Sequence, residues 1–471
     1  MIQNKGFYKW LPFIIFSGLF FLLNCRNLGG GFYWDEAVYA NISEHLLYSD
    51  YYNPAYRVFT RHPPLYFLFL SLISNIPFQK EIVFRTFSVI FSIIGTGFLY
   101  YLFLSMKRFK LGVVFLALLV MNTLFQQYSQ SATMYAMLFM FFSVFIAGVV
   151  EKNENLELVG MIGGIYTHYL MFVSLLIVVL LDYFLNKKRI SPGLKRKLII
   201  IAVSYLPWLL FFFPGFFYHA KKYSEFTAHI NLYQFLWTFG ITGLIAISFW
   251  AYRIFKERAK CLENRDNEIR FVVLATIFII VHLALYLFGT PFLRYLFFIL
   301  PLVYAVTLLS VARFLEHKKY SSILKKNGLF FILLLMMFVP NLKMLGVFPY
   351  SFSYHDNHDS IYNSYWDEII NDVHGSTVSV ENVRSFVYYA NKKYPGKYNT
   401  IFPWDALGVV ELKYNPNNNE NNIKNLEKIS TTFVCIDSVG RYKSEMIAHL
   451  NNSGYKECKR YGSWILLKNE I

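Results

Sequence analysis

Charge is scarce in this chain: 16% of its 471 residues are Asp, Glu, Lys or Arg, where a soluble protein carries about 25%. The shortage excludes a soluble globular enzyme such as a dehydrogenase or kinase. In its place stand apolar residues at 56% and a mean hydropathy of +0.38, with bilayer-spanning runs recurring from residue 8 to residue 348. Cysteine is scarce too. Cys25, Cys261, Cys435 and Cys458 show no metal-binding or redox spacing. Only Cys435 and Cys458 are candidates to meet, as two buried free thiols on neighbouring strands or as a disulfide. No glycine-rich phosphate cradle follows a strand, so nucleotide chemistry has no support. No small-residue cleavage site follows the first apolar stretch, which therefore reads as a retained helix.

Acidic residues are few against a basic excess of +16, and the position of that excess decides its meaning. Residues 350–471 hold 13 Lys and Arg against 14 Asp and Glu, leaving 32 against 15 in the first 349. The excess lies in short clusters between apolar runs: Lys107–Lys110, Lys187–Lys197, Arg253–Arg270 and Arg313–Lys326. Such clusters mark cytosolic loops of a membrane protein, not a nucleic-acid-binding stripe.

Every crossing flips the side of the chain, so these clusters set the topology. Residues 8–24 cross first, 65–76 are too short to cross, and 82–104 return. The run 111–150 is broken by Gln126-Gln127-Tyr128-Ser129-Gln130-Ser131, and 158–184 by Tyr166-Thr167-His168-Tyr169. Each therefore goes out and comes back. Spans at 198–214, 231–252, 271–288, 296–312 and 328–348 complete about eleven crossings with a cytosolic N-terminus. The expected organisation is a transmembrane domain over 1–349, whose first outer loop is 25–80, and a small soluble α/β domain over 350–471. The latter is read from its short β-runs and Asn-rich linkers.

Isolated polar motifs then collect on the outer face. Asp35-Glu36, beside Trp34 and Tyr39, suits either a general base for a hydroxyl or the acidic start of a surface helix. Arg61-His62-Pro63-Pro64 is a stiff entry into the next helix that aims two side chains. His168 and Arg294 lie at membrane-boundary turns, as anion ligands or as snorkelling groups. Arg85 lies inside a span and needs an anion, with Glu81 one turn earlier as the nearest in sequence.

Several motifs together resemble a known pattern. Trp34-Asp35-Glu36-Ala37-Val38-Tyr39-Ala40, Arg61-His62-Pro63-Pro64-Leu65-Tyr66, Tyr128-Ser129-Gln130 with Met134-Tyr135-Ala136, Thr167-His168-Tyr169 and Arg294-Tyr295-Leu296 occur in the order seen in membrane glycosyltransferases of the GT-C fold. The chain resembles the protein mannosyltransferase family and its bacterial relatives, the lipid A aminoarabinose transferases, over roughly residues 8–350. The resemblance implies an inverting transferase with a polyprenyl-phosphate sugar donor, Asp35 as base and Glu36 in support. It also implies donor phosphate and substrate contacts among Tyr39, Arg61, His62, Arg85, His168, Arg294 and Tyr295. Two departures stand out: Val38 and Thr133 occupy positions where the family often has Arg, so phosphate binding falls to the remaining cations.

The expected partners are that lipid donor, a glycan, lipid or protein acceptor, and membrane lipid, with no nucleic acid. No cofactor is demanded, and a divalent metal is left open. The expected location is the bacterial cytoplasmic membrane, with the active site and C-terminal domain extracytoplasmic. Two other readings are a flippase for a lipid-linked glycan and a non-catalytic envelope-polymer assembly factor. A flippase needs midplane ionisable groups and usually a repeated helix set. Asp182 is the one acid well inside an apolar run.

Overall fold

The computed structural model describes residues 7–25, 28–29, 31–32, 35–45, 63–185, 189–223, 245–252, 266–288, 297–316, 368–373, 378–380, 389, 393, 433–437, 443–461 and 464–470. In chain order its helices begin with α1 (Phe7–Cys25), α2 (Asp35–His45), α3 (Leu65–Ile73), α4 (Lys80–Ser105), α5 (Phe109–Met121) and α6 (Thr123–Gln130). They continue with α7 (Met134–Glu151), α8 (Glu154–Thr167), α9 (Leu170–Leu185), α10 (Pro192–Tyr223), α11 (Asn267–Phe288) and α12 (Leu300–Glu316). The chain divides into two compact units. One takes in Met1–Leu28, Tyr56–Asn75 and Val83–Tyr350, the other Gly29–Ala55, Ile76–Ile82 and Ser351–Ile471.

The first unit is helical because a backbone in a bilayer must satisfy its own N–H and C=O groups. Among the described residues α1, α4, α7 and α11 are long and apolar enough to cross a membrane, and α5 with α6 forms a further candidate bent by 72°. Large apolar side chains such as Leu22, Leu72, Phe184 and Val203 stand exposed, as a lipid-facing surface requires. Of the expected crossings, 328–348 and most of 231–252 lie outside the described residues.

Polar residues place the turns between these helices. Asn122 breaks the α5 run, and its carboxamide accepts the Phe125 N–H at 2.7 Å, which caps α6 in a new direction. Between α7 and α8, Lys152 takes the left-handed conformation (φ 57°), and Asn153 accepts the N–H groups of Asn155 and Leu156. Those two helices then pack backbone to backbone. A Cβ on Gly160 would strike the Phe145 backbone, and one on Gly148 the Glu157 backbone. Small residues are how membrane helices approach this closely. Asp182, the acid inside an apolar run, accepts the Ser191 N–H at 2.7 Å just before α10, a local anchoring role.

One end of this unit is a knot of charge. Buried Glu268 accepts the Nε–H groups of Arg108 at 2.7 Å and Arg313 at 2.5 Å, and Arg313 also pairs with Asp266 at 2.8 Å. Lys197 pairs with Glu157 at 2.6 Å, Arg270 donates to the Val150 carbonyl at 2.9 Å, and Ser105 donates to Glu151 at 2.6 Å. Members of all four basic clusters therefore meet where α4, α7 and α12 end and α5, α8, α10 and α11 begin. At 1.5 Å per residue, α7 and α8 carry the chain about 20–27 Å from here to the opposite end.

The second unit contains α2 and a four-stranded sheet of order β1-β2-β4-β3, built from β1 (Val378–Val380), β2 (Phe433–Asp437), β3 (Tyr455–Tyr461) and β4 (Trp464–Asn469). β1 and β2 run parallel, and β2–β4 and β3–β4 antiparallel. Helix α13 (Lys443–Asn452) supplies Leu450 to a core of Val434, Tyr455, Ile465 and Leu467. Edge strand β3 turns Lys456, Glu457, Lys459 and Arg460 to solvent, which discourages pairing with another chain. Lys459 and Tyr461 both donate to Asp372. Burial works to raise that carboxyl, but these two bonds hold it below the ordinary carboxylate range.

Of the two readings of the cysteines, free thiols hold, but the expectation that both are buried on neighbouring strands is corrected. Cys435 is buried on β2, but Cys458 is exposed on β3, and β4 lies between those strands. Both thiols are free. A shift of register between Glu457 and Lys459 leaves Cys458 unpaired across the strands, with its Sγ–H directed to the Leu466 carbonyl at 3.3 Å. Cys261 lies outside the described residues.

Candidate functional site

Asp35 and Glu36 form the first turn of α2. A helix dipole favours negative charge there, so part of the structural role anticipated for them is present. Asp35 is half-buried, while Glu36 at 5% and Tyr39 at 3% exposure lie inside, with Ala37, Ala40 and Ile42. These apolar positions of α2 are thus covered. The entry to α2 is held by hydrogen bonds to distant residues. Gln79 Nε2 donates to the Gly29 carbonyl at 3.1 Å, and the Phe32 N–H donates to the Tyr389 hydroxyl at 2.8 Å. That hydroxyl in turn donates to Glu81 Oε1 at 2.7 Å.

The expected pairing of Glu81 with Arg85 is therefore replaced. Glu81 takes the Tyr389 hydroxyl, whereas buried Arg85 sends Nη1–H to the Leu28 carbonyl at 3.3 Å, past the end of α1. One turn of helix brings two side chains within reach but does not choose between partners. The choice came from segments far away in sequence.

In the helical unit, the end opposite the charge knot gathers the other polar motifs. The His168 ring lies 5.5 Å from that of Tyr135, Tyr135 lies 6.5 Å from Tyr128, and Tyr128 lies 5.9 Å from Phe297. Asn122 Nδ2 donates to the Tyr304 hydroxyl at 2.6 Å beneath them. The turn at 131–133, the turn at 168–169 and the start of α12 therefore adjoin. His168 is 6% exposed and closes α8. Its Nδ1 accepts the Leu170 N–H at 3.1 Å, which in the neutral ring leaves the proton on Nε2 as a donor.

Two polar residues of this region escaped the reading of the sequence. Asn122 was visible as the polar residue ending Leu118-Leu119-Val120-Met121. His282 was visible as the lone ionisable group in Phe278-Ile279-Ile280-Val281-His282-Leu283. It is buried among Phe142, Phe278 and Phe298, with its ring 4.9 Å from that of Phe298. Nδ1 lies 2.8 Å from the Phe278 carbonyl, and Nε2 has no hydrogen-bonding partner among the described residues.

Arg61, His62, Arg294 and Tyr295 lie outside the described residues, as does Trp34. Among the described residues no group of three or more His, Cys, Asp or Glu is placed to hold a metal ion.

No protein-family model matches the chain, and no curated protein matches it in sequence. Solved structures do match in fold. ArnT from Cupriavidus metallidurans in the apo state superposes with a TM-score of 0.53 at 14% identity, covering 99% of this chain and 98% of that one. The same protein bound to undecaprenyl phosphate gives 0.55, again at 14% identity and with 99% and 98% covered. The Archaeoglobus fulgidus oligosaccharyltransferase, in complex with Zn and sulfate, gives 0.53 at 14% identity, covering 97% of this chain and 73% of that one. The chain is a polytopic helical membrane protein with the GT-C fold and a small C-terminal α/β region.

Proposed function

We propose that this protein is a membrane glycosyltransferase that moves a sugar from a polyprenyl-phosphate carrier to an acceptor hydroxyl, with inversion. Its place is the bacterial cytoplasmic membrane, working on the extracytoplasmic side. The observation that carries this reading is the end-to-end likeness in fold to a protein whose structure holds undecaprenyl phosphate. That lipid is a carrier of the kind left when the sugar has departed.

In this reading Asp35 takes the proton of the acceptor hydroxyl, with Glu36 and Tyr39 shaping its surroundings. The freed oxygen attacks the anomeric carbon from the face opposite the phosphate. A new C–O bond forms as the sugar–phosphate bond breaks, and the bonding pair leaves with the polyprenyl phosphate. Donors aimed at that growing charge lower the barrier. The resemblance of the sequence motifs, not their placement, assigns that role to Arg61, His62, Arg85, His168, Arg294 and Tyr295. A flippase is less well supported, since Asp182 anchors the start of α10.

Deleting the gene should remove one glycan addition from the envelope glycans, lipids or glycoproteins, seen by mass spectrometry beside the parent strain. The unused lipid-linked sugar should accumulate. A deletion strain with an unchanged glycan and lipid-linked sugar profile would sink the transferase reading.

The side of the membrane has its own test. With the charge knot in the cytosol and the 122–135, 168 and 297 region outside, alkaline phosphatase fused after Asn357 should be active. An inactive phosphatase there, with an active cytosolic reporter at the same point, would invert the topology.

A further inference from the structure

We propose that Tyr389, far along the C-terminal segment, is a positioning residue for the Asp35-Glu36 turn. Its phenol splints the entry of α2 to the start of α4. The inference rests on the reading of Asp35 as the base and adds a residue to it that no sequence motif marks.

The geometry is a chain of two hydrogen bonds through one oxygen. The Tyr389 hydroxyl accepts the Phe32 N–H at 2.8 Å and donates its own proton to Glu81 Oε1 at 2.7 Å. A phenol can do both at once, and a hydroxyl that donates its proton becomes the stronger acceptor. Both ends of the splint are buried. Glu81 is 2% exposed, and the Phe32 side chain is fully covered. A buried N–H and a buried carboxylate each cost free energy if left unmet, so the arrangement resists slipping.

What the splint holds is the approach to the carboxylates. Phe32 lies three residues before Asp35, the first residue of α2. The Gly29 carbonyl, three residues earlier still, is held by Gln79 at 3.1 Å. Residues 29–32 are therefore held to the 76–82 segment, by Gln79 directly and by Glu81 through Tyr389. With the entry held at two points, the first turn of α2 cannot rotate or slide freely. A general base must sit within hydrogen-bond reach of the proton it takes, and a displacement of 1 Å can cost a hundredfold in rate.

The test uses the purified full-length protein and Tyr389→Phe, which keeps the ring and removes the hydroxyl. In wild type, hydrogen exchange should show the Phe32 amide protected. In Tyr389→Phe, exchange over residues 29–40 should speed up about tenfold, with the rest of the protein unchanged. Turnover with the polyprenyl-phosphate sugar that accumulates in the deletion strain should fall about tenfold or more in kcat, while the Kd for undecaprenyl phosphate stays at the wild-type value. A residue that merely stabilised the fold would not separate kcat from lipid binding. Glu81→Gln still offers an oxygen to the phenol and should stay near wild type, whereas Glu81→Leu should behave like Tyr389→Phe and stands in for it if that variant does not accumulate.

A Phe32 amide that exchanges at the free-peptide rate in wild type overturns the proposal. So does unaltered exchange over 29–40 with unaltered kcat in Tyr389→Phe. If Asp35→Asn turns over normally, the assignment of the base has failed, and the exchange measurement alone then decides whether the splint exists.

Discussion

Asp35→Asn should lose about 10²- to 10⁴-fold in the rate of sugar transfer while its melting temperature stays close to wild type. The magnitude is that of a positioned general base, since the amide keeps the size of the carboxylate but cannot take up a proton. The structural role of Asp35 predicts a different outcome. In the first turn of α2 its charge contributes about 0.3–1 kcal/mol through the helix dipole, a stability effect that leaves turnover nearly intact. Rate and melting temperature measured on the same preparation therefore separate the two roles. A stable Asp35→Asn protein with near-normal turnover would remove Asp35 from the mechanism and make Glu36, buried on the next residue, the next to replace.

Glu268→Ala should be the most destabilising single change in the charge knot, at about 3–5 kcal/mol. Two arginines share this carboxylate, and removing it leaves both guanidinium groups without their buried anion, which is where breaking an ion pair costs most. Arg108 and Arg313 keep 25% side-chain exposure, which places the expected loss toward the lower end of that range. The control is Glu154→Ala. Its pair with Arg196 has side-chain exposures of 49% and 65%, and an exposed pair of this kind contributes about 0–1 kcal/mol. Thermal unfolding of both variants in the same detergent gives the comparison. If Glu268→Ala melts with Glu154→Ala and wild type, the knot does not hold these helix ends together.

The parts of the molecule that could be read in advance are those governed by local chemistry. The run 82–104 announces α4, and the run 271–288 announces α11, because hydropathy summed over some twenty residues depends on no neighbour. That 111–150 and 158–184 are each interrupted was readable for the same reason, since polar groups in an apolar run end or redirect a span. The first bend, however, falls at Asn122 while Gln126–Gln130 stay helical, and the second falls at His168. Element edges were less certain. Helix α10 starts at Pro192, six residues before the expected 198, because a helix continues past the apolar segment that first signals it, and Pro is favoured in the first turn.

Local chemistry could not choose partners. The sequence placed Arg85 and Glu81 one turn apart, yet Glu81 meets Tyr389, 308 residues away, and the Phe32 amide meets the same hydroxyl across 357 residues. Nor could spacing show that Glu268 would gather Arg108 and Arg313 from 160 and 45 residues away. Cys435 and Cys458 looked like neighbours until β4 was seen between them. By itself, then, the sequence determined that this is a many-helix membrane protein with basic turns, polar tips and a carboxylate pair at the start of α2. Only the tertiary structure decided which basic turns converge, which aromatic and histidine tips meet, and what holds the entry to that carboxylate pair. Hydropathy and capping act within a turn or a span, whereas long-range partners are set by the register in which packed helices and paired strands come together.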